Sequence, residues 1–178
     1  MTSTLYLFAS AAPPAFDIVG VIGEVQSRGW NVCLGLTPTA ARWLEPRRAE
    51  LERLTGSPVR SEYKLPGEPD VWPKADVILL APATFNTLNE WALGLTSKFV
   101  VGVVAEGIGK GIPIVTMPCV NAAYAQHRRL HKSIAELREM GVTVLYGEGG
   151  FMPNQPGEKE PYPWAKALDA IANVATPA

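Results

Sequence analysis

Only two cysteines occur in the 178 residues, Cys33 and Cys119, and no CxxC or zinc-type spacing joins them. A disulfide framework is therefore not expected, and a reducing cytoplasm is the expected cytoplasmic setting. A charge of one sign is equally missing: 16 basic and 17 acidic residues leave a net charge of −1. With Arg128-Arg129 the densest basic pair, no nucleic acid and no membrane surface is expected as partner. No apolar stretch approaches the roughly 20 residues of a spanning helix. The first apolar run, Leu5–Ala9, has no basic region before it and reads as a strand rather than a signal peptide. The two histidines, His127 and His131, stand at i, i+4 but enclose Arg-Arg-Leu and lack the HExxH glutamate, so surface or capping roles are expected and no metal. There is no Ser-His-Asp pattern, Walker loop, internal repeat or low-complexity segment.

What remains is an ordinary globular composition, 47% hydrophobic and 19% charged, in a chain the size of one domain. Near-continuous apolar runs at Leu5–Ala9, Val32–Leu36, Val77–Ala81, Ile114–Met117 and Thr143–Tyr146 predict strands covered on both faces. Val59–Glu62 is a weaker strand candidate. Helical spacing runs through Phe16–Arg28, stopped by Gly29, and through Ala122–Met140, stopped by Gly141. Thr96–Ile108 is apolar almost all round and is expected to be buried, against the core or another subunit. Tyr162–Val174 closes the chain, with Pro163 in its first turn. Strand alternating with helix predicts one α/β domain over residues 1–178, three-layer αβα with a Rossmann-like (flavodoxin-like) parallel sheet. Gly147–Pro163, rich in Gly, Pro and Glu, is expected to form a lid or flexible loop.

In such a sheet the ligand site lies past the carboxyl ends of the strands, so the residues there matter most. Ser10-Ala11-Ala12-Pro13-Pro14-Ala15 follows the first strand. Its small residues let backbone N–H groups and the Ser10 hydroxyl approach a phosphate, although an ordinary turn with a serine cap reads as well, and GxGxxG is absent. Thr37-Pro38-Thr39 offers two hydroxyls that suit either a helix cap or a phosphate. Ala81–Thr87 leaves room for a flat ring and supplies amide and hydroxyl donors. Pro118-Cys119-Val120-Asn121 completes the set. Uncharged polar groups at four strand ends suit a polar cofactor with one phosphate. Cys33 reads as a core residue and Cys119 as a spacer near the site. Trp72, Trp91 and Trp164 suit either stacking or packing.

Ala-Asp-x-x-x-x-Ala-Pro-Ala-Thr-x-Asn-Thr, from Ala75 to Thr87, resembles the "PASANT" motif of the homo-oligomeric flavin-containing cysteine decarboxylases. That family includes phosphopantothenoylcysteine decarboxylase and the lantibiotic peptide decarboxylases. Pro118–Tyr124 is similar to its "PxMNxxM" motif, and Leu36–Ala40 to its stretch after the second strand. The resemblance implies FMN as cofactor, with Ser10, Ala11, Thr37 and Thr39 at the phosphate and ribityl chain. Ala83, Thr84, Asn86 and Thr87 would lie along the isoalloxazine, and Asn121 and Tyr124 would face the substrate. It implies a lyase reaction on a small molecule or a peptide C-terminal cysteine, whose side chain is oxidised so that CO₂ can leave. It also implies a homotrimer with the flavin site between subunits, in some members assembled into a dodecamer.

The departures matter too. Where the family has a histidine base, this chain has Glu68, with Asp70 and Trp72 nearby, and burial could raise such a carboxylate into a base's range. The PxMN methionine is Val120, the later one is Tyr124, and Leu145–Glu148 lacks the lid cysteine. Phe85 replaces a small residue. The alternatives are an FMN-binding member without decarboxylation, or a relative of the flavin prenyltransferases.

Overall fold

The computed structural model describes residues 2–155 and 157–175. Five parallel strands, β1 (Thr4–Ala9), β2 (Asn31–Leu36), β3 (Val77–Ala83), β4 (Ile114–Pro118) and β5 (Thr143–Val144), pair in the order β2-β1-β3-β4-β5. From β1 the chain moves outward to β2, then returns past β1 to β3, which places the reversal of strand order between β1 and β3. Every residue of β3 and β4 is buried. Since successive side chains point to opposite faces, that pattern requires a cover on both faces.

Eight α-helices supply it among the described residues: α1 (Ile18–Ser27), α2 (Pro38–Leu44), α3 (Arg48–Thr55), α4 (Phe85–Ala92), α5 (Phe99–Gly109), α6 (Ala122–Ala125), α7 (Arg128–Glu139) and α8 (Trp164–Ala175). None is long and apolar enough to cross a membrane. The expected helix before Gly29 is in fact a 3-10 turn, Pro13–Asp17, leading into α1. α5 begins at Phe99, three residues later than its apolar pattern, and buries Phe99, Val100, Val101, Val104 and Gly107. Val59–Glu62 contributes only a single bridge, Arg60 to Gly35.

The long helix expected over Ala122–Met140 is two helices. His127 has an extended backbone and its ring Nδ1 accepts from the Arg129 N–H at 3.0 Å, so it caps a new helix instead of continuing the old one. β5 is also shorter than predicted, because the chain turns after Val144 and Tyr146 pairs with Phe151.

The long connection between α3 and β3 is pinned by an aromatic cluster. Trp72 is 7% exposed and donates its indole N–H to the Pro58 carbonyl at 2.9 Å, while the Tyr6 hydroxyl donates to Pro73 at 2.6 Å. The Arg60 guanidinium lies 4.2 Å over the Phe99 ring and 5.4 Å from that of Trp72. Tyr63 crosses α5 at Gly102, where any Cβ would overlap its hydroxyl, and donates to the Thr96 carbonyl at 2.6 Å.

Candidate functional site

The carboxyl ends of β1 to β4 each run into a helix start, and between them opens a cleft of about 1190 Å³. That exceeds the roughly 300–1,000 Å³ of an ordinary small-molecule site and leaves room for two ligands side by side. Of the residues singled out from sequence, Ala11, Thr37, Thr39, Thr84, Asn86, Thr87, Asn121 and Tyr124 line it.

Ser10 and Ala83 lie beneath rather than in the cleft. Ser10 is 1% exposed, its N–H bonded to Pro82 and its hydroxyl donating to Thr87 Oγ1 at 3.0 Å. Thr84 Oγ1 sits 3.0 Å from the same oxygen and caps α4 through the Thr87 N–H. This chain of three hydroxyls locks the β1 and β3 ends together, so the floor is set before any ligand arrives. The Ala83 carbonyl accepts from the Cys119 N–H at 2.9 Å, tying β3 to the loop after β4.

Thr37 differs from the other threonines. It is 6% exposed and stands at the N-terminus of α2, yet its side chain makes no capping bond. Its hydroxyl opens on the cleft, where a ligand or water can satisfy it; among the described residues the buried polar side-chain atom without a partner is Trp91 Nε1. Asn121, by contrast, caps α6, its Oδ1 accepting from the Tyr124 N–H at 2.8 Å, which leaves its amide N–H groups for the cleft. Phe85 and Tyr124 stack with ring centroids 4.5 Å apart and form an aromatic wall.

The far wall comes from the segment expected to be a lid. Phe151, Asn154, Gln155, Glu158, Glu160 and Tyr162 line the cleft. The Tyr162 hydroxyl donates to the Met117 carbonyl at 2.6 Å, and burial, reinforced by the neighbouring Cys119, holds its pKa well above the ordinary tyrosine range. Lys98 joins the lining from the turn before α5, its Nζ held by both oxygens of Glu90 at 2.8 and 2.9 Å. Sequence reasoning missed Lys98 and Tyr162. Nothing in the sequence marks the former, while the latter is an aromatic at the edge of a polar Pro/Gly-rich stretch.

Glu68 lies outside this cleft, on an exposed loop, with its Oε2 accepting from the Leu65 N–H at 2.8 Å. Trp72, Trp91 and Trp164 are structural: Trp72 packs in the aromatic cluster, Trp91 is 2% exposed, and Trp164 bonds Asp17 at 3.1 Å. The His131 Nε2 is 2.8 Å from the Ala125 carbonyl, and no group of three or more potential metal ligands exists among the described residues.

Cys119 lines the cleft, and burial pushes its thiol up to about 11. At neutral pH it is therefore a thiol and not a nucleophile. Against an ordinary thiol at 9.0, that means about 100-fold less thiolate. Alkylation by iodoacetamide at pH 8 is expected to be slower than for free cysteine by about that factor, read by mass spectrometry. Labelling at the free-cysteine rate would contradict this.

Over 138 residues the chain is 28% identical to the coenzyme A biosynthesis bifunctional protein CoaBC of Thermococcus kodakarensis, a match covering 74% of this chain and 33% of that protein. The chain thus spans about a third of that relative's length. Over 151 residues it is 26% identical to a Streptococcus mutans protein named "Probable phosphopantothenoylcysteine decarboxylase", covering 82% and 83% of the two chains. Among solved structures, the FMN-dependent cysteine decarboxylase SpaF superposes with a TM-score of 0.74 at 22% identity, over 96% of this chain and 97% of that one, a likeness of fold. The flavoprotein family model matches residues 3–174, which takes in all four strand ends and the segment over the cleft, and the chain belongs to that family.

Proposed function

We propose that this chain binds FMN in the cleft and decarboxylates a small molecule or peptide ending in cysteine. The observation that carries the reading is Thr37, whose hydroxyl stands at the start of α2, makes no hydrogen bond to the protein and opens on a cleft at the reversal of strand order. The first-turn N–H groups of a helix have no partner within it, and α2 opens on Pro38, which has none to offer. Thr37, Thr39 and the Ala11 backbone N–H would hold a phosphate and ribityl chain, the Ala12 N–H being bonded to the Ser10 carbonyl at 2.9 Å. Thr84, Asn86 and Thr87 would run along the ring system, backed by Ser10 and Ala83. Asn121 would offer its amide to a substrate carboxylate, and the Phe85–Tyr124 stack would exclude water beside it. Bound FMN would supply the two-electron oxidation of the cysteine side chain on which loss of CO₂ depends.

Glu68 enters as base only across an interface, because it lies outside the cleft of its own chain. The reading therefore includes a homotrimer in which one subunit's loop reaches its neighbour's site, in a cytoplasmic protein whose lid is the 147–163 segment. The exposure of Glu68 also favours a second reading, a flavin-binding protein without decarboxylase activity.

The tests separate these. Purified protein is expected to be yellow and to release FMN on denaturation; a colourless protein that takes up no added FMN would sink the cofactor. Cysteine-ended peptides are expected to lose the mass of CO₂. Glu68→Gln is expected to cut kcat by about 100-fold or more. Unchanged turnover removes Glu68 as base, and absent turnover by yellow wild-type protein leaves the second reading.

A further inference from the structure

Resting on that reading, we infer that the substrate of this cleft carries no phosphate and presents a neutral or amine-bearing end to the lid. Among the described residues, Lys98 is the one cationic side chain in the lining. It is already committed, with Nζ bonded to both carboxylate oxygens of Glu90. The Glu90 side chain is 19% exposed, so the pair is poorly screened, and drawing Lys98 toward a ligand anion would leave a half-buried carboxylate uncompensated. The same carboxylate accepts from Asn86 Nδ2 at 2.9 Å, which takes an amide donor out of the ligand's reach as well.

The lid adds charge of the other sign. Glu158 and Glu160 both line the cleft, and neither forms an ion pair among the described residues. Glu158 accepts only a backbone N–H, from Gln155 at 3.0 Å, which leaves its charge in place. A phosphate, carrying between one and two negative charges, would meet two carboxylates in the lining there, whereas Lys159 between them is not among the lining residues. An ammonium group would meet two acceptors. The Thr37 hydroxyl, which makes no hydrogen bond to the protein and opens on the cleft, is available to a polar ligand. It sits at the β2 end of the sheet, however, whereas the lid follows β5 at the opposite end. Hydroxyls at one end, with the Arg42 guanidinium 3.0 Å from Thr39 Oγ1, and unpaired carboxylates at the other give the cleft two halves of different electrostatic character. The lid half is the one that disfavours an anion.

The test uses the full-length protein and two dipeptides, Ser-Cys and phosphoserine-Cys, titrated by calorimetry, with flavin content measured separately. Ser-Cys is expected to bind about tenfold or more tightly than its phosphorylated counterpart. Glu90→Gln keeps the side chain's shape but releases Lys98, and is expected to narrow that gap several-fold by strengthening phosphoserine-Cys. The lid pair Glu158→Gln/Glu160→Gln is expected to do the same without touching the Lys98 bond, which guards against a folding defect in the first variant. Equal or tighter binding of phosphoserine-Cys by the wild type, or no binding of either peptide to flavin-loaded protein, overturns the inference. A colourless protein that still prefers Ser-Cys upholds it and sinks the cofactor reading instead.

Discussion

Phe99→Ala is expected to cost about 4 kcal/mol of stability, near the middle of the range for buried phenylalanine truncations. The ring is 3% exposed and sits at the hub of the aromatic cluster, 6.2 Å from Phe8 and 5.9 Å from both Tyr63 and Trp72. It also carries the Arg60 guanidinium at 4.2 Å. Truncation leaves a void that β1 cannot close, since Phe8 is itself packed edge-on by Tyr6. The loss is not confined to the core. Arg60 and Trp72 belong to the long loop that carries Glu68, and Phe99 directly follows Lys98, so loop and cleft rim loosen together. For a chain of this size, a fall in Tm of roughly 8–16 °C is expected by calorimetry. Protease cleavage between residues 57 and 76 is expected to accelerate in parallel. Phe99→Leu, which keeps most of the volume, is expected to cost about 1.5 kcal/mol or less. A shift below about 3 °C for Phe99→Ala would show that the cluster is not the loop's anchor.

The four long strands were legible in the sequence for a physical reason. A parallel strand covered on both faces has no polar positions to dilute it, and Val77–Ala81 or Ile114–Met117 admits no other reading in a chain this size. The helices were less legible. Ala122–Met140 has unbroken helical spacing and no proline or internal glycine, so the break at His127 had no signal in periodicity. It arises because two side chains, those of Asn121 and His127, cap separate helices. α3 and α4 were not foreseen, since each is short and sets only two or three residues against the core, Leu51 and Thr55 in one, Thr87, Leu88 and Trp91 in the other.

The candidate site divides the same way. That Thr37, Thr39, Thr84, Asn86 and Asn121 would share one space followed from their places at strand ends, since a parallel sheet brings all its carboxyl ends to one edge. That Ser10 would face Thr87 instead of the cleft did not follow. Its orientation depends on the register shift between Leu80 and Ala83 and on the bond from the Ser10 N–H to Pro82. Lys98 was invisible because its place is set by Glu90, eight residues away across the turn between α4 and α5. Glu68 illustrates the opposite case, a residue conspicuous by alignment to a motif but held on a proline-rich loop that its own chain does not fold into the cleft.

Gly150→Ala is expected to be the more revealing of the destabilising changes, because its damage falls on the cleft wall. The turn that closes the lid's base is made by Gly147 donating to the Phe151 carbonyl at 3.0 Å, Gly150 to the Gly147 carbonyl at 3.0 Å, and Phe151 to the Leu145 carbonyl at 3.1 Å. A Cβ on Gly150 would overlap the carbonyl carbon and oxygen of Leu145. Those are main-chain atoms at the end of β5, and no rotamer change can clear them, so the turn itself must open. With it would go the seat of Phe151, which is 7% exposed and packs 5.8 Å from Tyr162, and the two bonds from Lys166 Nζ to the carbonyls of Glu148 and Gly150. A loss of about 3 kcal/mol in urea unfolding is expected, of the order found for overpacking that moves backbone. Ligand affinity is expected to fall at least tenfold, since Phe151 and Tyr162 both line the cleft. The control stands next door: a Cβ on Gly149 would meet nothing within 4 Å, so Gly149→Ala should stay within about 0.5 kcal/mol of the wild type. If the two alanine variants behave alike, the turn is not what holds the lid, and the cleft's far wall must be secured from α8 alone.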